Sequence, residues 1–313
     1  MAKRSRKDSR SFRQLDTQAG AVGPRQPCPC GSGRRFKACH GAAGGPAPVF
    51  VARPFAGMPS ECDVIAMREL VPAATAPLPL KDSERVVRLC TILPVATPAM
   101  VRESGEIWLG LQVQHNFGDP ARDLGAVLTK ALGAEPGSVG LLESPGEGPR
   151  LQDLVAGDAL KVTVFEGFDF WLDDVEDDEA TKAAALKDAN NSAHPTVRLS
   201  QVEAAYWTDV GTKEHLRWVM PEPEDRLLDA LARLHVAGAT TVSEGSRLVG
   251  MFRAHGVLAP VWDLPLGTGA DVLESPSASF ASRLADALAD TSALTTEQRS
   301  ARSGLANRQV TIR

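Results

Sequence analysis

Residues 28–40 read Cys-Pro-Cys-Gly-Ser-Gly-Arg-Arg-Phe-Lys-Ala-Cys-His, with three thiols and one imidazole in a stretch too short to enclose a core. Thiolate and imidazole are the donors zinc prefers, and four of them close a tetrahedral structural site. Cys28 and Cys30 can grip one ion from a sharp turn, because Gly31, Ser32 and Gly33 let the backbone bend. The N–H groups of that turn can point at the sulfurs and stabilise the deprotonated ligands. A helical turn over 34–39 would then bring up Cys39 and His40, with Gly41 in the position after the helix that favours glycine. Three thiolates and a neutral imidazole leave one net negative charge on such a site, which Arg34, Arg35 and Lys37 offset. The ring of Phe36 would lie over the cluster and keep water away. The rival readings are a disulfide or unpaired thiols, but a bond across Cys-x-Cys is strained and a cytosolic chain would not keep it. Four protein donors leave no open position for water, so the ion is expected to be structural. Its binding would supply most of the folding energy of so small a unit.

The run CPCGSGRRFKACHG resembles the SEC-C motif, the zinc-binding tail of the preprotein translocase SecA. All four ligand positions of the motif are filled here, by Cys28, Cys30, Cys39 and His40, and the Gly-Ser-Gly turn and Gly41 also match. In SecA the motif implies a binding module that contacts the export chaperone SecB and the ribosome, and it also occurs in many proteins that are not translocases. By that resemblance one Zn²⁺ is expected, with Arg34, Arg35, Phe36 and Lys37 as the side chains that meet a partner. The chain as a whole resembles a family of uncharacterised actinobacterial proteins that carry the motif near the N-terminus. That resemblance implies no reaction, substrate or catalytic residue. A motor would need a Gly-rich phosphate loop ending in Gly-Lys-Ser/Thr, and no such string occurs in the 313 residues. Motor activity is therefore not expected.

Hydrophobic residues at 43% and charged residues at 23% fit a soluble globular protein. No apolar run approaches the ~20 residues of a membrane helix, so no membrane insertion is expected. The basic N-terminus has no apolar segment behind it and does not read as a secretory signal, which points to the cytoplasm. Cys62 and Cys90 stand among apolar neighbours and read as small buried hydrophobes rather than reactive thiols. The net charge of −5 hides an asymmetry: residues 1–60 hold eleven Lys/Arg against two Asp, or +9, which leaves −14 for the rest. A basic arm beside a zinc knuckle suits RNA, the ribosome or an acidic protein face. The alternative is a solvated tail that only aids solubility.

The expected fold class is α+β: a small zinc knuckle, then a body of two similar β-β-α-α-β units and C-terminal helices. The expected organisation is a disordered basic arm (1–24), the knuckle (25–45), a first unit (46–168), an acidic and polar linker (169–194), a second unit (195–272) and C-terminal helices and tail (273–313). In the first unit, a helix is expected from Ser60 to Glu69, strands over 88–95 and 107–114, and a helix opened by Asp119-Pro120 and ended by Gly133. A short helical stretch at Arg150-Leu151 and a strand over 159–165 complete it. In the second, strands over 204–208 and 215–220 precede a helix after Pro223, a helix-like stretch from Arg247 to His255, and a strand over 257–262. Ser275 is expected to cap a helix from Pro276 to Ala289, and Thr295 to Asn307 reads as one more.

Other candidates for chemistry have blander readings. The acids Asp169, Asp173, Asp174, Glu176, Asp177, Asp178 and Glu179 could hold Mg²⁺ or Ca²⁺, but their spacing fits no calcium loop and a solvated linker fits better. His115, His194, His215, His235 and His255 are scattered and form no metal motif. Trp108, Trp171, Trp207, Trp218 and Trp262 read as core or sheet-face residues ahead of a ligand pocket. The leading expectation is a non-enzymatic cytoplasmic adaptor that docks on a protein or ribonucleoprotein partner, such as the ribosome or export or nascent-chain machinery, through the knuckle. The alternatives are an enzyme of unknown reaction with its site in the body, and RNA or DNA binding through the basic arm.

Overall fold

A computed structural model describes residues 23, 25–26, 35–38, 50–113, 116–157, 159–172, 186–187 and 189–308. Helix α1 (Glu61–Glu69) opens the body and buries Val64, Ile65 and Met67. Six short strands follow: β1 (Ala74–Pro77), β2 (Val87–Cys90), β3 (Ala99–Val101), β4 (Ile107–Gly110), β5 (Gly137–Val139) and β6 (Thr163–Val164). They form one sheet in the order β5-β3-β4-β2-β1-β6. Only β2 and β4 run parallel, with Leu89 opposite Leu109, and β3 carries the chain back between them. Helix α2 (Pro120–Leu132) starts where expected. The Asp119 side chain accepts from the Arg122 N–H, Pro120 fills the first helical position, and Gly133 ends the run. It buries Leu124, Val127 and Leu128 in the same core as α1. Gly125 is required there, because a Cβ would fall 2.3 Å from the Pro149 carbonyl oxygen, just before the one-turn helix α3 (Leu151–Leu154).

The second sheet is wholly antiparallel, in the order β10-β11-β9-β8-β7. Its strands are β7 (Thr196–Arg198), β8 (Ala205–Asp209), β9 (Glu214–Trp218), β10 (Arg247–Ala254) and β11 (Val257–Leu264). Along β9 the buried residues Glu214, Leu216 and Trp218 alternate with His215 and Arg217, the two-residue period of a half-buried strand. Helices α4 (Glu224–Val236), α5 (Glu274–Ala289) and α6 (Thr296–Ala306) pack together on this sheet. Trp218, Trp262 and Phe280 form the aromatic centre of their core. The core beneath α1 also takes in Tyr206, Val257 and Ala259, so the two sheets share buried apolar surface.

The α+β class stands, with two sheets and C-terminal helices. The second unit departs from the expected order: residues 247–254 are the strand β10, not a helix-like stretch, and β7 adds a strand at the start, so the order is β-β-β-α-β-β. The cause is the turn that follows, where His255 (φ 49°) and Gly256 (φ 81°) take the paired left-handed conformation of a tight hairpin. The strand expected over 159–165 shortens to Thr163–Val164. Ser275 does not cap α5, because a 3-10 turn (Asp271–Leu273) leads straight into the helix and places Ser275 inside its first turn. Both described ends of the expected linker pack on the first sheet. Phe168 and Phe170 pack with Cys90 and Trp108 on its outer face, and Trp171, Leu186, Ala189 and Ala193 lie against them. Aromatic side chains there gain more from burial than a solvated linker would allow. Residues 173–185, with most of the acidic run, and residues 1–22 of the basic arm lie outside the described residues.

Candidate functional site

The four expected zinc ligands Cys28, Cys30, Cys39 and His40 lie outside the described residues, as does Arg34. Two short pieces flank them. The Gly23 N–H donates to Gln26 Oε1 at 2.8 Å, and the Phe36 N–H donates to the Gln26 carbonyl at 2.8 Å. These bonds tie the 3-10 turn Phe36–Ala38 back to the start of the motif. Phe36 is 3% exposed, while Arg35 and Lys37 on either side of it are exposed. Among the described residues no group of three or more His, Cys, Asp or Glu side chains could hold a metal ion.

In the body, polar groups converge where α1 meets the second sheet. Asp63 is 3% exposed and accepts from Tyr206 Oη at 2.6 Å, from Arg198 Nε at 2.9 Å and from Arg198 Nη2 at 2.9 Å. This two-pronged pairing joins α1 to β7 and β8. Burial, together with the carboxylate, pushes the Tyr206 hydroxyl well above its ordinary pKa, so it stays a donor. Arg53 forks onto Glu61, two residues earlier on α1, at 2.7 and 2.9 Å and donates to the Pro221 carbonyl at 3.0 Å. A second buried carboxylate, Glu214, accepts from Trp207 Nε1 at 2.7 Å, from the Gly269 N–H at 2.9 Å and from the Gly267 N–H. Burial alone would push its pKa up, but these donors outweigh it and hold the carboxyl below its usual range. Both arrangements are internally satisfied and hold elements in place.

The scattered residues remain apart. Burial pushes the thiols of Cys62 and Cys90 up to about 12, so both are inert. His215 lies 3.1 Å from Asp263, and His255 Nε2 lies 2.8 Å from Glu69 Oε1. His194 and His235 are exposed, and His115 lies outside the described residues. Trp108, Trp218 and Trp262 are core residues, as expected, and Trp171 and Trp207 are part-buried beside them.

A cavity of about 460 Å³ opens beside Asp63, between the start of α1, the β7–β8 loop, the end of β9 and α5. Trp218, Met220, Leu284 and Leu288 supply apolar wall, and Glu61, Asp63, Glu203 and Glu222 its acids. The Ser60 hydroxyl beside it accepts from the Leu160 N–H at 3.0 Å, and Cys62 is held as a thiol. The lining therefore sets no activated nucleophile against a base. Sequence reasoning missed Asp63, Arg198, Tyr206, Glu203 and Glu222. The one local signal was an acid, Asp63, inside the apolar helical run Cys62–Met67.

A family model described as "Family of unknown function (DUF5926)" matches residues 54–313, and a SEC-C motif model matches residues 25–42. Among curated proteins, the protein translocase subunit SecA of Rubrobacter xylanophilus is 64% identical over 25 residues. That stretch is 8% of this chain and 3% of the SecA chain. No solved structure matches.

Proposed function

The chain belongs to DUF5926, a family of unknown function, and from that premise we propose that it is a non-motor cytoplasmic adaptor. One structural Zn²⁺ is held by Cys28, Cys30, Cys39 and His40, and the knuckle so formed docks on a protein or ribonucleoprotein partner. The observation that carries this reading is the SEC-C match over residues 25–42, with every ligand position filled. The exposed charges of Arg35 and Lys37 support it, because they give the knuckle a basic face suited to an acidic protein surface or to RNA. The two thiols of the body are buried and inert, which supports assigning any metal binding to the motif cysteines. The ion closes a small fold and presents that face; it performs no reaction.

The test is affinity capture from native cytoplasm with the full chain, in wild-type form and as Cys28→Ser/Cys30→Ser. Capture that depends on the zinc ligands is the expected result. Equal capture by both forms would overturn the docking role. Nuclease treatment and a salt series separate RNA contact, which weakens steeply with salt through counterion release, from a protein face.

A further inference from the structure

The seam cavity beside Asp63 has a charge that its own walls do not neutralise. Of its four acids, Glu61 is paired with Arg53 and Asp63 with Arg198. Glu203, which is exposed, and Glu222, which is half-buried and feels the nearby Arg53 charge, make no ion pair or hydrogen bond among the described residues, and Glu222 Oε2 is buried without a partner. No lysine, arginine or histidine lines the cavity. A buried carboxylate oxygen left without a donor is costly, unless something that binds there supplies one. Opposite these acids the wall is apolar, built by Trp218, Met220, Leu284 and Leu288. The volume, about 460 Å³, falls within the roughly 300–1,000 Å³ of small-ligand sites.

We propose that this cavity binds an organic cation, a primary amine or guanidinium carried on an apolar stem of several carbons. Glu222 and Glu203 take the charge, and Trp218, Met220, Leu284 and Leu288 cover the stem. A carboxylate of the same shape meets two like charges and is rejected, and a neutral alcohol leaves the acids without a counter-charge. The rim already shows the preference, since Arg53 lays its guanidinium on Glu61 and the Pro221 carbonyl there. The same chemistry has two sources. One is a free small amine. The other is a lysine side chain from residues 1–49 of this chain, Lys3, Lys7 or Lys37. The proposal is independent of whether the knuckle docks on a partner.

The full chain is titrated calorimetrically with hexylamine, hexanol and hexanoate. In parallel, the chain without added ligand is treated with a carbodiimide, which joins amines to carboxylates in contact, and the products are peptide-mapped. Hexylamine is expected to bind at least about tenfold more tightly than hexanol, with no binding of hexanoate, as fits a charged hydrogen bond. Glu203→Gln, at an exposed position that does not threaten the fold, and Glu222→Gln are each expected to weaken hexylamine by about tenfold. An amide between Lys3, Lys7 or Lys37 and Glu203 or Glu222 of the same chain identifies the N-terminal segment as the source. Amine binding without such an amide identifies a free ligand. The proposal is overturned if the three probes behave alike, or if hexylamine binding is indifferent to both substitutions, and no such amide forms.

Discussion

Residues 25–42 and residues 54–313 store their information in opposite ways. In the first, the chemistry is in residue type and spacing: four metal donors within thirteen residues. In the second, each converging group finds its partners far along the chain, as Asp63 does 135 residues away in Arg198 and 143 away in Tyr206. A module of the first kind can be carried between unrelated proteins, and a 25-residue stretch 64% identical to this one makes up 3% of a SecA chain. A site of the second kind exists only when the whole fold is in place. Under the proposed zinc reading the knuckle depends on its metal, and the body depends on the fit between its two sheets.

The sharpest way to break this contrast is to remove the metal. Small zinc modules draw on the order of 10–16 kcal/mol from the ion. Chelation, or Cys28→Ser/Cys30→Ser, should take bound zinc from one equivalent to near none by elemental analysis. The calorimetric transition of the body should stay where it was. A body transition that moves with zinc would show that the two regions form one cooperative unit.

The next effect belongs to the seam. Asp63→Ala leaves Tyr206 Oη buried without its acceptor and Arg198 without its counter-ion, and should cost about 3–5 kcal/mol in urea denaturation. A loss of less than about 1 kcal/mol, the level of an exposed pair, would place the two sheets' coupling elsewhere.

The smallest effect is a slope. Burial pushes the Asp123 carboxyl up to about 6, with nearby Asp119 adding to it, against the Phe117 N–H, Arg68 and Arg122. Because the folded state then holds the proton to higher pH than the unfolded chain, this group's contribution falls as pH rises from roughly 4 to 6, by up to about 3 kcal/mol. Glu214 and Glu274 act in the opposite sense. Burial opposes it, but backbone N–H donors hold both below the usual carboxylate range, so their stabilisation is present above roughly pH 4.5 and fades in acid. Asp123→Asn should remove the first slope and keep the second, measured as the difference between the two stability profiles. Parallel profiles would rule out a buried, protonated Asp123.

The parts legible in the sequence are those whose signals are local. Asp119-Pro120 followed by Leu124, Val127 and Leu128 marks α2, and Thr295 with Gln298 forms the capping box that starts α6. Strands β1, β3 and β5, of three or four residues, are held by their neighbours and leave no period to read. Strand β10 does not show its period in the sequence for a specific reason: its register shifts between Leu248 and Gly250, which breaks the two-residue alternation. The α+β class and the SEC-C motif were legible. The seam cavity was not, because its acids come from α1, the β7–β8 loop and the end of β9.

The pairing of Asp63 also sets a clock on synthesis. The acid leaves the ribosome within an apolar helix, and its two partners follow 135 and 143 residues later. At about 5–20 residues per second that is an interval of roughly 7–30 s. Through that interval α1 carries a carboxylate that water must solvate, which keeps an otherwise sticky helix soluble until β7 and β8 arrive to claim it.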